Sequence, residues 1–298
     1  MRNSVLAALL AACAGIALYS VMDAVMKHIS LVTGAYIALF WRLSAGAVIM
    51  TPLFAFTRPR MPDARVLRIH AIRSAVIAVM AIAFFWGIVR VPLAEAIALT
   101  FIAPLIALAL AAIFLKEKIG TRSLFGSLLG LAGVGIILAG QLGAPHRPDS
   151  ALGMVAILVS AVFYAVNLVI ARHQAQHAKP IEIAFFQNWM ILALFAVPAP
   201  WLLSAPAPGL WWLLILAAGL AIVSLLLLSW AYARAEAQVL LTVEYTAFIW
   251  AAIMGWLFFR EPLTLVTIAG TLLIVAGCWM AARSTPGIAE PEVEPALS

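Results

Sequence analysis

The chain has 298 residues, 66% of them hydrophobic and 10% charged, with a mean hydropathy of +1.11. A soluble domain carries about 25% charged residues, so this composition excludes a soluble protein and indicates a polytopic membrane protein. The net charge of +6 then reads as basic residues kept in cytoplasmic loops rather than as a nucleic-acid surface. Cys13 and Cys278 both fall inside apolar runs and imply neither a disulfide framework nor a metal site.

Ten apolar segments follow one another, at about 4–26, 34–56, 69–89, 93–115, 121–140, 151–171, 182–203, 210–232, 239–259 and 263–282. Each is roughly the 20 residues a helix needs to cross the hydrocarbon layer, and each is expected to be helical because a helix satisfies its own backbone in lipid. The first begins like a secretory signal ending at Cys13, but its apolar run continues to Met26, so it reads as a retained helix. The last residues, 285–298, are rich in Pro and Glu and are expected to form a disordered cytoplasmic tail.

The chain contains one stretch twice. Adding 144 carries Trp86 to Trp230, Arg90 to Arg234, Phe101 to Tyr245, Phe114 to Phe258, Glu117 to Glu261, Gly126 to Gly270 and Gly133 to Gly277. At an offset of 145, the run from Tyr19 to His28 matches the run from Tyr164 to His173. A period this long marks a duplicated half rather than a stacked array. The expected units are five helices in 1–144, five more in 145–284, and the tail.

With the N-terminus in the cytoplasm, twelve basic residues lie in cytoplasmic segments and four (Lys27, Arg90, Arg147, Arg260) in outer ones. That excess places both termini inside, in a bacterial inner membrane. Five helices per half is an odd number, so equivalent loops face opposite sides: Arg90 is outside and Arg234 inside. The expected fold is therefore all-α, ten transmembrane helices in two inverted-topology repeats around a central cavity, an architecture common among secondary transporters.

Ionisable groups inside apolar segments are costly and count as functional candidates. Arg42, deep in the second segment, suits a substrate carboxylate or an ion pair with Asp23; Asn188 holds the equivalent place in the second half. Glu244 suits a substrate ammonium, a protonatable gate, or a salt bridge at the cytoplasmic rim. Tyr19 and Tyr164 recur in mid-helix, with Asp23 and Asn167 about one turn further on. Trp86, Phe101, Trp230 and Tyr245 complete an aromatic set suited to an amphipathic small molecule. Glu95 is expected to cap its helix or pair with Arg90. Arg90, Arg234, Glu117 and Glu261 are expected to hold loops and helix ends together. Gly126 and Gly130 suit close packing within the monomer more than a dimer face, and the chain is expected to act as a monomer, with a dimer as the alternative.

The ten-segment pattern, with F-L-K-E117 and F-F-R-E261 closing the fourth helix of each half and a Gly-rich fifth helix after it, resembles the drug/metabolite transporter superfamily and, within it, the EamA-type exporters. The run from Ala233 to Trp250, with Trp230-x-x-x-Arg234 before it, is similar to bacterial exporters of aromatic and other neutral amino acids. The resemblance implies a basket of helices around a central cavity lined by the first, third and fourth helices of each half, with the lipid bilayer and a small-molecule substrate as partners.

The leading expectation is a secondary transporter exporting aromatic and other neutral amino acids by alternating access, with a broad-specificity drug carrier of the same fold as the alternative. An intramembrane enzyme is disfavoured: the five histidines lie near helix ends or in loops, and H-E-x-x-H, G-x-S-x-G and Walker A motifs are all absent. No metal or cofactor is expected.

Overall fold

Hydrocarbon offers no hydrogen bonds, and each apolar segment meets that constraint by coiling on itself. The computed structural model describes residues 2–57, 61–103, 105–106, 110, 121–142, 149–175, 177–232 and 246–282, and among them every regular element is helical. In chain order these are α1 (Arg2–Thr33), α2 (Ala35–Phe56), α3 (Ala64–Ile88), α4 (Leu93–Thr100), α5 (Thr121–Leu142), α6 (Ser150–Ala175), α7 (Pro180–Ala196), α8 (Ala199–Leu202), α9 (Trp211–Tyr232), α10 (Thr246–Phe259) and α11 (Leu265–Ala282). Five helical stretches are long and apolar enough to cross a membrane: Ala7–Thr33, Ala35–Phe56, Ala64–Ile88, Ser150–Ala171 and Pro208–Leu228. Four shorter apolar helices accompany them. Large side chains such as Val48, Leu131, Leu152, Leu257 and Leu272 face outward, as lipid contact requires.

Several boundaries differ from the apolar segments, for physical reasons. The first segment stops short of Lys27, but α1 runs on to Thr33 because Lys27 is buried and bonded to protein groups. The third helix starts earlier, at Ala64, where the Asp63 side chain accepts from Val66 N at 2.8 Å as an N-cap. The seventh segment is split at Val197 and Pro198 into α7 and α8. The fourth breaks after Thr100: Phe101 N donates to Ala98 O and Ile102 N to Leu99 O, a tightened three-residue pattern. A proline at 104 has no N–H to offer the Thr100 carbonyl, so a continuous helix would lose a bond there. The ninth segment is described only from Thr246 onward.

Helix packing repeats under exchange of the two halves. Three helices pack on their own counterparts: α5 on α11, α2 on α7 and α4 on α10. Further contacts come in exchanged pairs: α1 with α9 and α6 with α3, α2 with α9 and α7 with α3, α1 with α10 and α6 with α4. Counterparts run antiparallel. A Cβ on Gly133 would lie 2.5 Å from Gly270 O and one on Gly270 would lie 2.7 Å from Gly133 O, while one on Gly277 would run into Gly126 O and one on Gly140 would lie 2.5 Å from Val266. The glycines of the sequence repeat thus pack on one another, and Gly126 and Gly130 serve packing within the chain. A two-fold that turns a helix onto an antiparallel copy lies across the helices, which is the inverted repeat. One apolar core, with Met26, Ile29, Leu39, Ile88, Leu99, Ile137, Ile157 and Leu214, draws on both halves.

Candidate functional site

Polar side chains gather where apolar helices leave them no solvent. Tyr19 and Asp23 are one turn apart on α1 and share a face. Arg42 on α2, Arg73 on α3 and Asn167 on α6 lie, like them, about two turns or more from their helix ends. Arg42 is within electrostatic range of both Tyr19 and Asp23, and Arg73 is within range of Tyr19. No hydrogen bond or ion pair joins Arg42 to Asp23 among the described residues, and Arg42 Nε is buried with no partner there. The expected Arg42–Asp23 pair is therefore a juxtaposition of charges with an unfilled donor, not a closed salt bridge.

Arg73 opens a relay across α3, α6 and α7. Its Nε donates to Asn167 Oδ1 at 2.9 Å and its second nitrogen to Gln174 Oε1. Arginine only donates, so the Gln174 amide nitrogen must face the other way, where it lies 2.7 Å from His70 Nδ1. Nδ1 therefore accepts, and Nε2 donates to Glu182 Oε1 at 3.1 Å. His70 is buried and stacks on Phe186. This relay joins the first half, through α3, to the second, through α6 and α7.

A second polar cluster bridges the halves at the opposite helix ends. After α10, Arg260 turns the chain in the left-handed region (φ 55°) and directs Glu261 back over the helix end. One Glu261 oxygen pairs with Lys27, and the other accepts from Leu93 N at 2.7 Å, at the N-terminus of α4 where the helix dipole favours an anion. Lys27, 3% exposed, also donates to Val91 O at 2.8 Å and stands 5.0 Å from the Phe259 ring. Glu261 thus has the structural role expected of it. A small crevice beside it, lined by Pro92, Glu95, Gly255, Glu261 and Thr267, includes none of the mid-helix polar residues.

Glu95 and Arg90 do not follow the expected pairing. Glu95 is buried and accepts from Thr267 Oγ1 on α11 at 3.0 Å. The Arg90 guanidinium instead lies 3.4 Å from the Trp86 ring centroid, and it donates to Trp86 O. Burial in an apolar bundle draws Glu95 to a hydroxyl inside, whereas a flat guanidinium stacks readily on a large ring at the helix end.

The ten sequence-derived site residues are distributed unevenly. Tyr19, Asp23 and Arg42 come together, and Asn167 joins them through Arg73. Tyr164 packs against the core, and Phe101 is buried at the break in the fourth helix. Trp86 and Trp230, 36% and 40% exposed, face outward. Glu244 and Tyr245 lie outside the described residues, as do Arg234 and Glu117. Asn188 is engaged elsewhere, donating to Ala184 O and resting against Gly46. Four participants were absent from the sequence-derived set: Arg73, Gln174, His70 and Glu182. Arg73 carried the same signal as Arg42, an ionisable group inside an apolar segment. His70 and Gln174 sit near helix ends, where the sequence gives no reason to prefer burial over exposure.

Comparison with known proteins follows the same two halves. Residues 6–139 and 151–283 each match the model of the EamA-like transporter family. The pseudopaline exporter CntI of Pseudomonas aeruginosa is 30% identical, over 96% of this chain and 98% of that protein. A probable terminal-alkyne amino-acid exporter of Streptantibioticus cattleyicolor is 26% identical, over 76% of this chain and 77% of that protein. A solved crystal structure with 21% identity aligns with a TM-score of 0.63, over 92% of this chain and 98% of that one, a likeness of fold.

Proposed function

The chain belongs to the EamA-like transporter family, and from that premise we propose that it is a secondary transporter exporting small metabolites by alternating access, with aromatic and other neutral amino acids as its cargo. It is a transporter, not an enzyme, and a multi-pass membrane protein. In the proposal it sits in a bacterial inner membrane with both termini in the cytoplasm and works as a monomer.

Arg42 carries the reading. Its Nε is buried without a partner among the described residues, beside Asp23 and Tyr19. A guanidinium receives a carboxylate in a planar, two-point grip, and Asp23 offers the complementary anion for an ammonium. A free amino acid presents both groups on one carbon. Tyr19 and Tyr164 supply apolar surface for a side chain. The antiparallel halves supply the motion: one rocks on the other and exposes the shared middle to each side in turn. Two relatives whose names describe exporters support the direction of transport.

The test is transport by the purified full chain in liposomes. Phenylalanine and threonine should cross with saturable kinetics. Arg42→Ala should lower kcat/KM by at least about tenfold, as expected for loss of a charge-assisted hydrogen bond, with Arg42→Lys intermediate. Unchanged transport in Arg42→Ala would remove the carboxylate role. Competition by dyes or quaternary ammonium compounds, with no amino acid movement, would replace this reading with drug efflux.

A further inference from the structure

The charges in the middle of the bundle do not balance. Arg42 and Arg73 both act on Tyr19, and among the described residues Asp23 is the carboxylate within range of that group. Among the described residues Arg73 is held by neutral acceptors alone, Asn167 Oδ1 and Gln174 Oε1. Glu182, the next carboxylate along the relay, is turned to His70. Two guanidiniums and one carboxylate leave a positive charge in a region where an uncompensated ion is expensive. The repeat does not demand this charge: an offset of 144 carries Arg73 to Ala217, and 145 carries it to Ala218. A guanidinium has five N–H donors, and the neutral acceptors leave Arg73 with some to spare.

Resting on the amino-acid reading above, we infer that the preferred cargo carries a second carboxylate. Its amino-acid head group is held between Arg42 and Asp23, and its further carboxylate is drawn to Arg73. The site then takes a further class of cargo, amino acids of net negative charge, and holds them more tightly than the neutral amino acids it also carries.

Binding of phenylalanine and of N-carboxymethyl-phenylalanine to the purified full chain, measured by calorimetry, tests this. Both carry the same ring and differ by one carboxylate. The wild type should bind the carboxymethyl compound at least about tenfold more tightly. Arg73→Gln should abolish that ratio. Arg73→Lys, which keeps the charge, should retain most of the ratio and shows that the site still folds. Equal affinities in the wild type, or a ratio that survives Arg73→Gln, overturn the inference. Should Glu244 already neutralise Arg73, the ratio would be missing in the wild type and appear in Glu244→Gln, which also overturns it for this chain. Phenylalanine transport without the preference sinks only the second carboxylate; binding of neither compound sinks the amino-acid reading with it.

Discussion

Lys27 shows how one side chain is tolerated where hydropathy forbids it. Its ammonium has Val91 O and Glu261 as oxygen partners and the Phe259 ring nearby, drawn from the turn before α4, the turn after α10, and α10 itself. Removing one member of a buried pair strands the other, at a cost of roughly 3 kcal/mol or more, and the partial exposure of Glu261 places this case at the low end. Lys27→Met should therefore lower the thermal midpoint of the detergent-solubilised protein. Lys27→Met combined with Glu261→Gln should recover most of the loss, because glutamine still accepts from Leu93 N. Equal midpoints for wild type and Lys27→Met would remove the pair from the forces holding the halves together. Arg42 stands in contrast: its buried Nε has no partner among the described residues, and in the function proposed above that donor receives the substrate carboxylate.

Between elements, the α5–α11 contact sets how near the halves can approach. Backbones meet at Gly133, Gly270, Gly126 and Gly277, so van der Waals contact replaces side-chain interdigitation. A methyl at Gly133 would meet the Gly270 carbonyl at 2.5 Å and Ile274 N at 2.9 Å, and neither backbone atom can rotate away. Gly135, two residues further on the same helix, has nothing within 4 Å. Gly133→Ala should thus destabilise by about 1–3 kcal/mol, while Gly135→Ala should be neutral or stabilise by up to about 1 kcal/mol through helix propensity. Thermal melts of the two variants check this, and equal effects would mean that the two helices do not meet through glycine. The break at Phe101 and Ile102 belongs to this scale as well, since interrupted helices give a transporter core the backbone freedom a continuous helix lacks.

Across the whole molecule, exchanged contacts and antiparallel counterparts make the chain an inverted repeat, and sidedness follows. Single cysteines introduced beside Arg90 and beside Arg234, in a chain with Cys13 and Cys278 replaced, should react with an impermeant thiol reagent from opposite sides of the membrane. Labelling of both from one side would break the alternating-access proposal at its root. The two polar clusters that bridge the halves, Lys27 with Glu261 at one end and Arg73 through Glu182 at the other, lie on either side of Arg42 and Asp23. In the proposed mechanism, rocking one half against the other loosens each in turn.

Composition and periodicity alone determined the helical class, and a fixed offset between recurring side chains determined the duplication. Both are properties that each residue carries wherever its neighbours are. The same reading put Arg42, Tyr19, Asp23 and Asn167 on the page, because a polar group in an apolar run is conspicuous without coordinates. The partners were decided by tertiary structure. Lys27 meets a residue 234 positions away, Arg73 one 101 away and Glu95 one 172 away. A buried charge takes whichever polar group the packing brings within reach, so Glu95 chose Thr267 over Arg90 and Arg90 chose a tryptophan ring. Where a helix stops, too, depended on those partners: α1 passes through Lys27 because the charge is answered from other helices, something that hydropathy, which averages over one segment, does not record.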